Sequence, residues 1–233
     1  MNNITIVMAY YNNGEMLREH LTHWRAYPDK LKPHFKAIIV DDGSQRSPAV
    51  DQVKVMPFPI EVYRVIPDIP WNQDGARNLG MTHASGWCLL TDMDHLLEVD
   101  QAQELIKTKL RKGNTYIPDR RKYVMHEPHK RHPNSYIIHE SVYWQAGGYD
   151  ERFAGYYGTD RPFYHRVRKV TGFVMSSICL TVYGRHIIPD ASTVDYGRQG
   201  SEYHVDRHPE IYKLREQAPW PMKPLNFEWE RVL

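Results

Sequence analysis

The sequence has few cysteines, no long apolar run and no excess of charge of one sign. Its 233 residues contain two cysteines, Cys88 and Cys179, both within apolar runs, so buried reduced thiols are expected rather than a disulfide. No apolar run approaches the roughly 20 residues that a membrane-spanning helix needs. The 30 basic and 28 acidic residues nearly cancel, which argues against a nucleic-acid partner bound through bulk charge. We therefore predict a soluble, cytoplasmic protein.

The residues that are present indicate one globular domain. Hydrophobic residues make up 41% of the chain and charged residues 25%, as in ordinary folded proteins. Apolar runs that begin at Ile4, Phe35, Ile60 and Trp87 predict strands, and residues with helical spacing lie between them. This alternation predicts an α/β fold with a mostly parallel central sheet flanked by helices, followed by an irregular C-terminal region.

A helix is predicted after the fourth of these strands. Asp100 and Gln103 have the spacing of a capping box, in which two side chains satisfy the first backbone N–H groups of a helix. Arg111 and Lys112 precede Gly113, and a cationic last turn followed by glycine is typical of a helix end.

Polar side chains follow three of the predicted strands. They lie at 10–12, at Asp41 and Asp42, and at Asp92 and Asp94. Because the carboxyl ends of parallel strands meet at one edge, we expect these residues to converge on one crevice. Asp92 and Asp94 point to the same side in an extended chain, where a Mg²⁺ or Mn²⁺ ion would remove their mutual repulsion. The alternative is that one aspartate only caps the following turn.

Five motifs occur in the order and at roughly the spacing found in family 2 glycosyltransferases, which they resemble. They are ITIVMAYYNN, IIVDDGS, DGARNLGM, LLTDMDHLL and GGYDERFAGYYGTD. The resemblance covers about 4–186 and implies a GT-A fold, a nucleotide-sugar donor and a divalent metal. The sequence departs from the common pattern at Thr159, where an acidic residue often precedes the aspartate. It also lacks a recognisable membrane segment or partner domain, which leaves the acceptor open.

The resemblance assigns roles to individual residues. It implies that the nucleotide-sugar contacts Ala9, Tyr10, Asp41, Asp42, Arg77, Asn78 and Asp92. It implies that the metal is bound by Asp94, Asp92 and His186. Asp160 matches the aspartate that removes a proton from the acceptor hydroxyl in inverting members. The residues expected to contact the acceptor are Trp144, Tyr149, Asp150 and Tyr157.

Each of these assignments has a simpler alternative. Asp160 also suits the start of a helix, where aspartate is a favoured cap. His204 and His208 have helical spacing and compete with His186 for the metal. His126, His129 and His132 are interrupted by prolines, which favours a solvated loop over a zinc site. The acceptor-side aromatic residues are equally consistent with core packing.

These observations predict a metal-dependent, inverting glycosyltransferase of polysaccharide biosynthesis that glycosylates a hydroxyl of a glycan or lipid-linked saccharide. We expect 1–98 to bind the donor, 99–188 to carry the acceptor side and the base, and 189–233 to form a wrapping tail. Trp220, Phe227 and Trp229 of this tail either contact a membrane or pack on the domain. The alternative function is a catalytically silent glycan- or partner-binding module. A nucleotidyltransferase is disfavoured, because AYYNNGE has neither a glycine run nor a lysine.

Overall fold

The computed structural model describes residues 1–189, 204–211, 213 and 225–233. The first part of the chain alternates strands and helices as predicted: β1 (Ile4–Tyr10), α1 (Gly14–Arg25), β2 (Phe35–Asp41), α2 (Ala49–Gln52), β3 (Ile60–Val65), α3 (Gln73–His83) and β4 (Trp87–Thr91). The later part contains β5 (His95–Leu96), α4 (Val99–Lys107), β6 (Asn114–Lys122), β7 (Pro128–His129), β8 (Tyr136–His139), α5 (Glu140–Gln145), α6 (Asp160–Val170), β9 (Gly172–Val182) and β10 (Trp229–Arg231).

The ten strands found in the described residues form one sheet. Its order is β10-β3-β2-β1-β4-β8-β6-β9-β5, with β7 paired to β6. The strands β3, β2, β1 and β4 are parallel neighbours, which confirms the predicted α/β fold with a mostly parallel central sheet. Beyond β4 the sheet is mixed, because β8 is antiparallel to both β4 and β6. The four parallel strands therefore end together at one edge, where the predicted crevice is expected.

Apolar cores cover both faces of the parallel strands. Ile39 of β2 faces one core together with Trp24 of α1, whereas the next residue, Val40, faces a second core together with Leu79 of α3. Successive side chains of a strand point to opposite faces, so a strand buried on both sides is apolar without alternation. This explains why the runs ITIVM and AIIV lack a polar face, and why only the strand ends carry polar side chains.

Helix α4 differs from its prediction at both ends. It begins at Val99 and no side chain caps its first turn, so the predicted capping box at Asp100 is wrong. It ends at Lys107 rather than before Gly113. The side-chain amide of Asn2 donates hydrogen bonds of 3.1 and 2.8 Å to two carbonyl oxygens at this end. Asn2, about 100 residues earlier in the sequence, therefore supplies hydrogen-bond donors to carbonyl groups at the end of this helix.

The described part of the tail closes an edge of the sheet. Strand β10 pairs antiparallel to β3, and the ring of Trp229 packs edge-on against Tyr63 and His83. Phe227 also packs against the second core, whereas Trp220 lies outside the described residues. Glu151 accepts hydrogen bonds from the backbone N–H groups of residues 225 and 226 (2.6 and 2.9 Å), which ties the tail to the domain. Packing on the domain is thus observed for these two aromatic residues.

None of the described helices is long and apolar enough to cross a bilayer. The cytoplasmic location stays a prediction. The division of the chain at 98 and 188 into donor, acceptor and tail regions also stays a prediction.

Candidate active site

A cleft opens beyond the carboxyl ends of β1, β2 and β4, where the sequence predicted a crevice. Ala9 and Tyr10 of β1 line it, together with Asp42, which follows β2. Asp92 and Asp94 line it after β4. The remaining walls come from elsewhere in the chain: Tyr11, Asn13, Asp68, Ile69, Trp71, Gln73, Met93, His132, Asn134, Tyr157, Gly158, Thr159, Asp160 and Arg185. The strand ends converge as their parallel order requires.

The two aspartates after β2 have different surroundings. Asp41 accepts hydrogen bonds from the backbone N–H groups of Ser44 (2.8 Å) and Ala49 (2.7 Å), so it holds the turn and does not line the cleft. Asp42 faces the cleft and accepts one hydrogen bond of 3.0 Å from the side-chain amide of Asn72. Burial raises the pKa of Asp42 to about 7, the charges of Asp41 and Asp68 act in the same direction, and the hydrogen bonds from Asn72 offset only part of the effect.

Asp92 is held firmly by cationic and polar neighbours. Its Oδ1 accepts hydrogen bonds from the guanidinium of Arg77 and from Gln73 (3.1 Å), and its Oδ2 lies 3.3 Å from Nδ1 of His132. Burial alone would raise the pKa of Asp92, but the Arg77 cation, with smaller contributions from His132 and His95 when these are protonated, outweighs it and holds the pKa at about 2. Asp92 is therefore an oriented carboxylate that stays ionised at neutral pH.

Three side chains beside β4 form a group able to hold a metal ion. One ligand atom from each of Asp92, Asp94 and His95 lies within 4.8 Å of the other two. The ring of His95 is buried, with Nδ1 at 3.0 Å from the hydroxyl of Ser135 and Nε2 at 2.8 Å from the guanidinium of Arg120. Burial lowers the pKa of His95 to about 4, so the imidazole is neutral. The two carboxylates suit Mg²⁺ or Mn²⁺ through their oxygens, whereas His95 would add a nitrogen ligand only if Nε2 were released from Arg120.

Asp160, the first residue of α6, also lines the cleft. The preceding residue, Thr159, occupies the N-cap position and donates its hydroxyl to Asp74 (2.9 Å). Burial raises the pKa of Asp160, although the neighbouring Arg77 cation, 3.5 Å from its Oδ1, acts in the opposite direction. A hydrogen bond from the side chain of Asn134 also favours the ionised form. Asp160 is thus an oriented carboxylate with a pKa above its usual range, as a proton acceptor requires.

Arg77 lies beneath the cleft and joins its carboxylates. The side chain is fully buried, with Nη1 at 3.7 Å from Asp74 and 3.5 Å from Asp160, in addition to its bond to Asp92. Its guanidinium also lies over the ring of Tyr149, 5.0 Å from the centroid. One buried cation therefore stabilises and positions three carboxylates.

Comparison with known proteins identifies the chain at this point. The family model described as Glycosyl transferase family 2 matches residues 5–171, which is most of the chain. The chain belongs to glycosyl transferase family 2. Among curated proteins, no sequence matches it at a significant level.

Solved glycosyltransferase structures share the fold of this family 2 chain. TarS residues 1–349 from S. aureus match with a TM-score of 0.63 at 11% identity, over 79% of this chain and 61% of that one. GalNAc-T7 with UDP, GalNAc and Mn²⁺ matches with 0.66 at 13% identity, over 92% and 48%. The mannosyltransferase PcManGT from Pyrobaculum calidifontis, in complex with GDP-Man and Mn²⁺, matches with 0.58 at 12%, over 92% and 60%. The chain thus spans between about half and three fifths of these proteins, and the predicted GT-A fold is confirmed.

Several residues that the resemblance assigned to the ligand do not reach the cleft of this family 2 domain. Arg77 is covered by the carboxylates above it, so a direct contact with the donor stays a prediction. Asn78 makes four hydrogen bonds: its amide donates to the carbonyl of Tyr149 and to Glu151, and its carbonyl accepts from Tyr143 and the Tyr149 N–H. It joins α3 to the chain that follows α5.

Of the residues predicted to contact the acceptor, some line the cleft and others are buried away from it. Tyr157 is exposed and lines the cleft. Tyr149 is buried in the second core and Trp144 packs against the edge of that core. Asp150 is buried and binds Arg152 at the start of a single helical turn. Core packing therefore accounts for Tyr149 and Trp144, and their contact with an acceptor stays a prediction.

The predicted metal ligand His186 is exposed and does not belong to the three-residue group, although its neighbour Arg185 lines the cleft. Of its competitors, His204 lies against Tyr157 and His208 against Tyr156. The roles of all three in metal binding stay predictions.

Sequence reasoning missed four residues of the cleft region. His95 directly follows the two aspartates, so its position in TDMDH was the available signal. His132, predicted to lie in a solvated loop, faces Asp92 instead. The side chain of Asn134 donates a hydrogen bond to Asp160, and Trp71 packs edge-on against Tyr157 at 5.4 Å. Nothing local in the sequence marks the last two as parts of the site.

We predict that Asp42→Asn stabilises the fold, and that the gain depends on pH. Because the folded pKa of about 7 exceeds the ordinary value, Asp42 favours folding at low pH and opposes it increasingly as the pH rises towards 7. The variant should therefore unfold with about 1–2 kcal/mol more free energy than wild type at pH 8 and with little difference at pH 5. Urea unfolding at both pH values measures this. Asp51→Asn, at an exposed position of α2, is the control, and a gain that does not depend on pH would contradict the assignment.

We also predict that His20 of α1 positions the metal-binding turn. Its ring is buried, and Nε2 lies 2.7 Å from the backbone carbonyl oxygen of Met93, between the two aspartates. Burial lowers the pKa of His20 to about 4, so a neutral ring donates this hydrogen bond. His20→Leu should raise the Mn²⁺ concentration needed for half-maximal nucleotide stabilisation by about tenfold, whereas His20→Gln, which retains an N–H donor, should raise it much less. Equal effects of the two substitutions would show that His20 only fills space.

Proposed function

We propose that the chain is a divalent-metal-dependent, inverting glycosyltransferase that uses a nucleoside-diphosphate sugar. The observation that carries this proposal is the convergence of two groups on one cleft. Asp92 and Asp94 of the metal-binding group line this cleft together with the carboxylate of Asp160. Neither a capped turn nor a structural ion pair requires both to face the same open space.

The β1 and β2 ends would hold the nucleoside of the donor. Ala9 and Tyr10 offer backbone and ring, and the carboxylate of Asp42 accepts hydrogen bonds from the base or the ribose. The cleft is open to solvent at its mouth, so a nucleotide-sugar can enter it from that side.

Asp94 and Asp92, with His95, would hold the metal ion. When bound there, a divalent ion supplies Lewis-acid stabilisation of the diphosphate that leaves. The chain's own contribution is to keep the carboxylate of Asp92 ionised and fixed through Arg77 and His132. Nε2 of His95 accepts a hydrogen bond from Arg120, so it would bind the metal only after release from that arginine. Mn²⁺ is present in the structures of GalNAc-T7 and PcManGT, which supports a divalent ion here.

Asp160 would act as the general base. It accepts the proton of the acceptor hydroxyl while that oxygen bonds to the sugar and the bond from sugar to diphosphate breaks. Asn134 and Arg77 hold its carboxylate, so reaction requires no reorientation of the base. Tyr157 and Trp71 provide aromatic surface at the cleft for sugar rings. The acceptor that we propose is a hydroxyl of a glycan or of a lipid-linked saccharide.

Thermal unfolding with UDP, GDP, dTDP and CDP, each with and without Mn²⁺, tests this proposal. A ligand at about 100 times its dissociation constant adds about 2.7 kcal/mol of stability, which raises Tm by roughly 5–10 °C for a chain of this size. We expect one nucleotide to give a shift that requires Mn²⁺. Asp94→Asn should abolish the shift and Asp51→Asn should retain it. No shift with any nucleotide would favour the silent binding module instead.

A further inference from the structure

The β6–β7 hairpin extends from the domain and carries apolar side chains at its end. All residues of 122–131 are exposed. The tip consists of Tyr123, Val124 and Met125, with exposed fractions of 41%, 49% and 75%. Tyr123 is partly held by stacking on Tyr183 at 4.1 Å, so the other two side chains present most of the apolar surface.

The backbone conformation at the tip is unfavourable for the residues that occupy it. Met125 and His126 have φ values of 71° and 53°, in the left-handed region. Glycine and asparagine adopt this conformation at little cost, whereas other side chains lose roughly 1–2 kcal/mol per residue. A turn that served only to reverse the chain would be more stable with small polar residues. The methionine at the tip therefore indicates a use for its exposed side chain.

The flanks of the hairpin are cationic. Its own charged side chains near the tip are Arg121, Lys122, Lys130 and Arg131, against the single carboxylate of Glu127. Three of these cations form surface ion pairs, in which Glu98, Glu127 and Asp119 are the partners. Such exposed pairs contribute little energy, so a phosphate can compete for the cations. The hairpin thus combines an apolar tip with a net positive flank, in a chain whose overall charge is only +2.

The base of the hairpin is connected to the cleft. The carbonyl oxygen of Lys130 accepts hydrogen bonds from Arg120, and Arg120 in turn donates to His95 of the metal-binding group. His132, two residues after Lys130, contacts Asp92. A surface bound by the tip would therefore lie beside the cleft.

We propose that the hairpin 120–132 docks the protein on an anionic lipid bilayer. Val124 and Met125 enter the boundary between headgroups and acyl chains, while the flanking lysine and arginine side chains contact lipid phosphates. Both interactions are characteristic of peripheral membrane binding, in which an apolar insertion and a basic patch act together. This inference does not depend on the proposed reaction, since it concerns a surface outside the cleft.

Co-sedimentation with lipid vesicles tests the inference. The wild type should bind vesicles of phosphatidylcholine mixed with phosphatidylglycerol, and should bind pure phosphatidylcholine vesicles much less. The double substitution Val124→Ser with Met125→Ser should lower the partition coefficient by about tenfold, because it removes the inserted apolar surface. Lys130→Gln should weaken binding to the anionic vesicles and leave binding to pure phosphatidylcholine unchanged.

The matched control is Val55→Ser with Met56→Ser. These residues are also adjacent, apolar and exposed (56% and 52%), but they lie in the loop before β3. Retained binding in this control, together with loss in the tip variant, would support the inference. Absence of wild-type binding, or equal loss in both double variants, would overturn it. Sedimentation velocity without lipid tests whether the tip binds a second copy of the chain instead of a membrane. A wild-type dimer that becomes a monomer on substitution of Val124 and Met125 would show this and would overturn the inference.

Discussion

Replacement of Arg77 by methionine is expected to lower the free energy of unfolding by about 3–5 kcal/mol, the cost of removing one partner from a buried ionic group. Tm should fall by roughly 10 °C for a chain of this size. The reason is that Arg77 is the cation closest to three carboxylates, those of Asp74, Asp92 and Asp160, and solvent does not reach it. Methionine fills similar volume but leaves the carboxylates beside each other.

The destabilisation should depend on pH in a defined direction. Burial raises the pKa of Asp74 to about 7 even with Arg77 present, and Asp92 is held at about 2 largely by that cation. Without Arg77 the folded pKa of each carboxylate rises. A carboxyl group with a raised folded pKa favours folding at low pH and opposes it at high pH. The difference between wild type and Arg77→Met should therefore be larger at pH 8 than at pH 5.

Urea unfolding at the two pH values measures this effect. Arg25→Met, which removes an exposed arginine at the end of α1, is the control and should change stability little. Adding Asp74→Asn to Arg77→Met should recover part of the loss, since one of the three carboxylates is then neutral. A destabilisation that is the same at both pH values, without recovery in the double variant, would mean that Arg77 acts through packing alone.

Replacement of Asp160 by asparagine should reduce kcat by about 10²–10⁴-fold, the usual contribution of a general base. Asparagine has nearly the same shape and still suits the start of a helix, but it cannot take the proton of the acceptor. Stabilisation by nucleotide and Mn²⁺ should persist, because Asp160 is not one of the three residues of the metal-binding group. Initial rates and thermal shifts on the same preparation separate the two effects.

Two further measurements identify the role of Asp160. Because burial raises its pKa, wild-type activity should fall on the acid side from a pH above the ordinary aspartate value. This acid limb should be missing from the residual activity of Asp160→Asn. The product should have the anomeric configuration opposite to that of the donor, which NMR of the first product formed determines. Retained configuration, or a variant with unchanged kcat, would contradict the assignment of Asp160 as the base.

The sequence was sufficient to predict the sheet and the position of the cleft. A strand that is covered on both faces is apolar throughout, so carboxylates at its end can only face the edge of the sheet. That argument holds for Asp42, Asp92 and Asp94, which all line the cleft. It uses no information from distant parts of the chain. Asp41 and Asp42 illustrate the limit of the argument. The pattern does not show that Asp41 binds the backbone of the following turn, whereas only Asp42 faces the cleft.

Residues whose role depends on distant contacts could not be predicted. Helix α3 is buried continuously from Asp74 to Met81, so no amphipathic pattern shows whether Arg77 faces a ligand or other side chains. His95 is a metal-ligand candidate because its ring lies beside Asp92 and Asp94, and the position of the ring depends on Arg120 and Ser135, 25 and 40 residues later. The end of α4 depends on Asn2, more than 100 residues earlier. Each case requires the tertiary fold before the local sequence can be interpreted.

The position of β10 has a consequence for how the protein is made. Strands β1 to β4 leave the ribosome early, whereas 225–233 are synthesised last among the described residues. Until then β3 has an unpaired edge, and Glu151 has Asn78 but neither backbone donor of the tail. Unpaired strand edges pair readily with other chains. In the nascent chain the edge of β3 is therefore open to pairing with other chains for as long as 225–233 have not been synthesised.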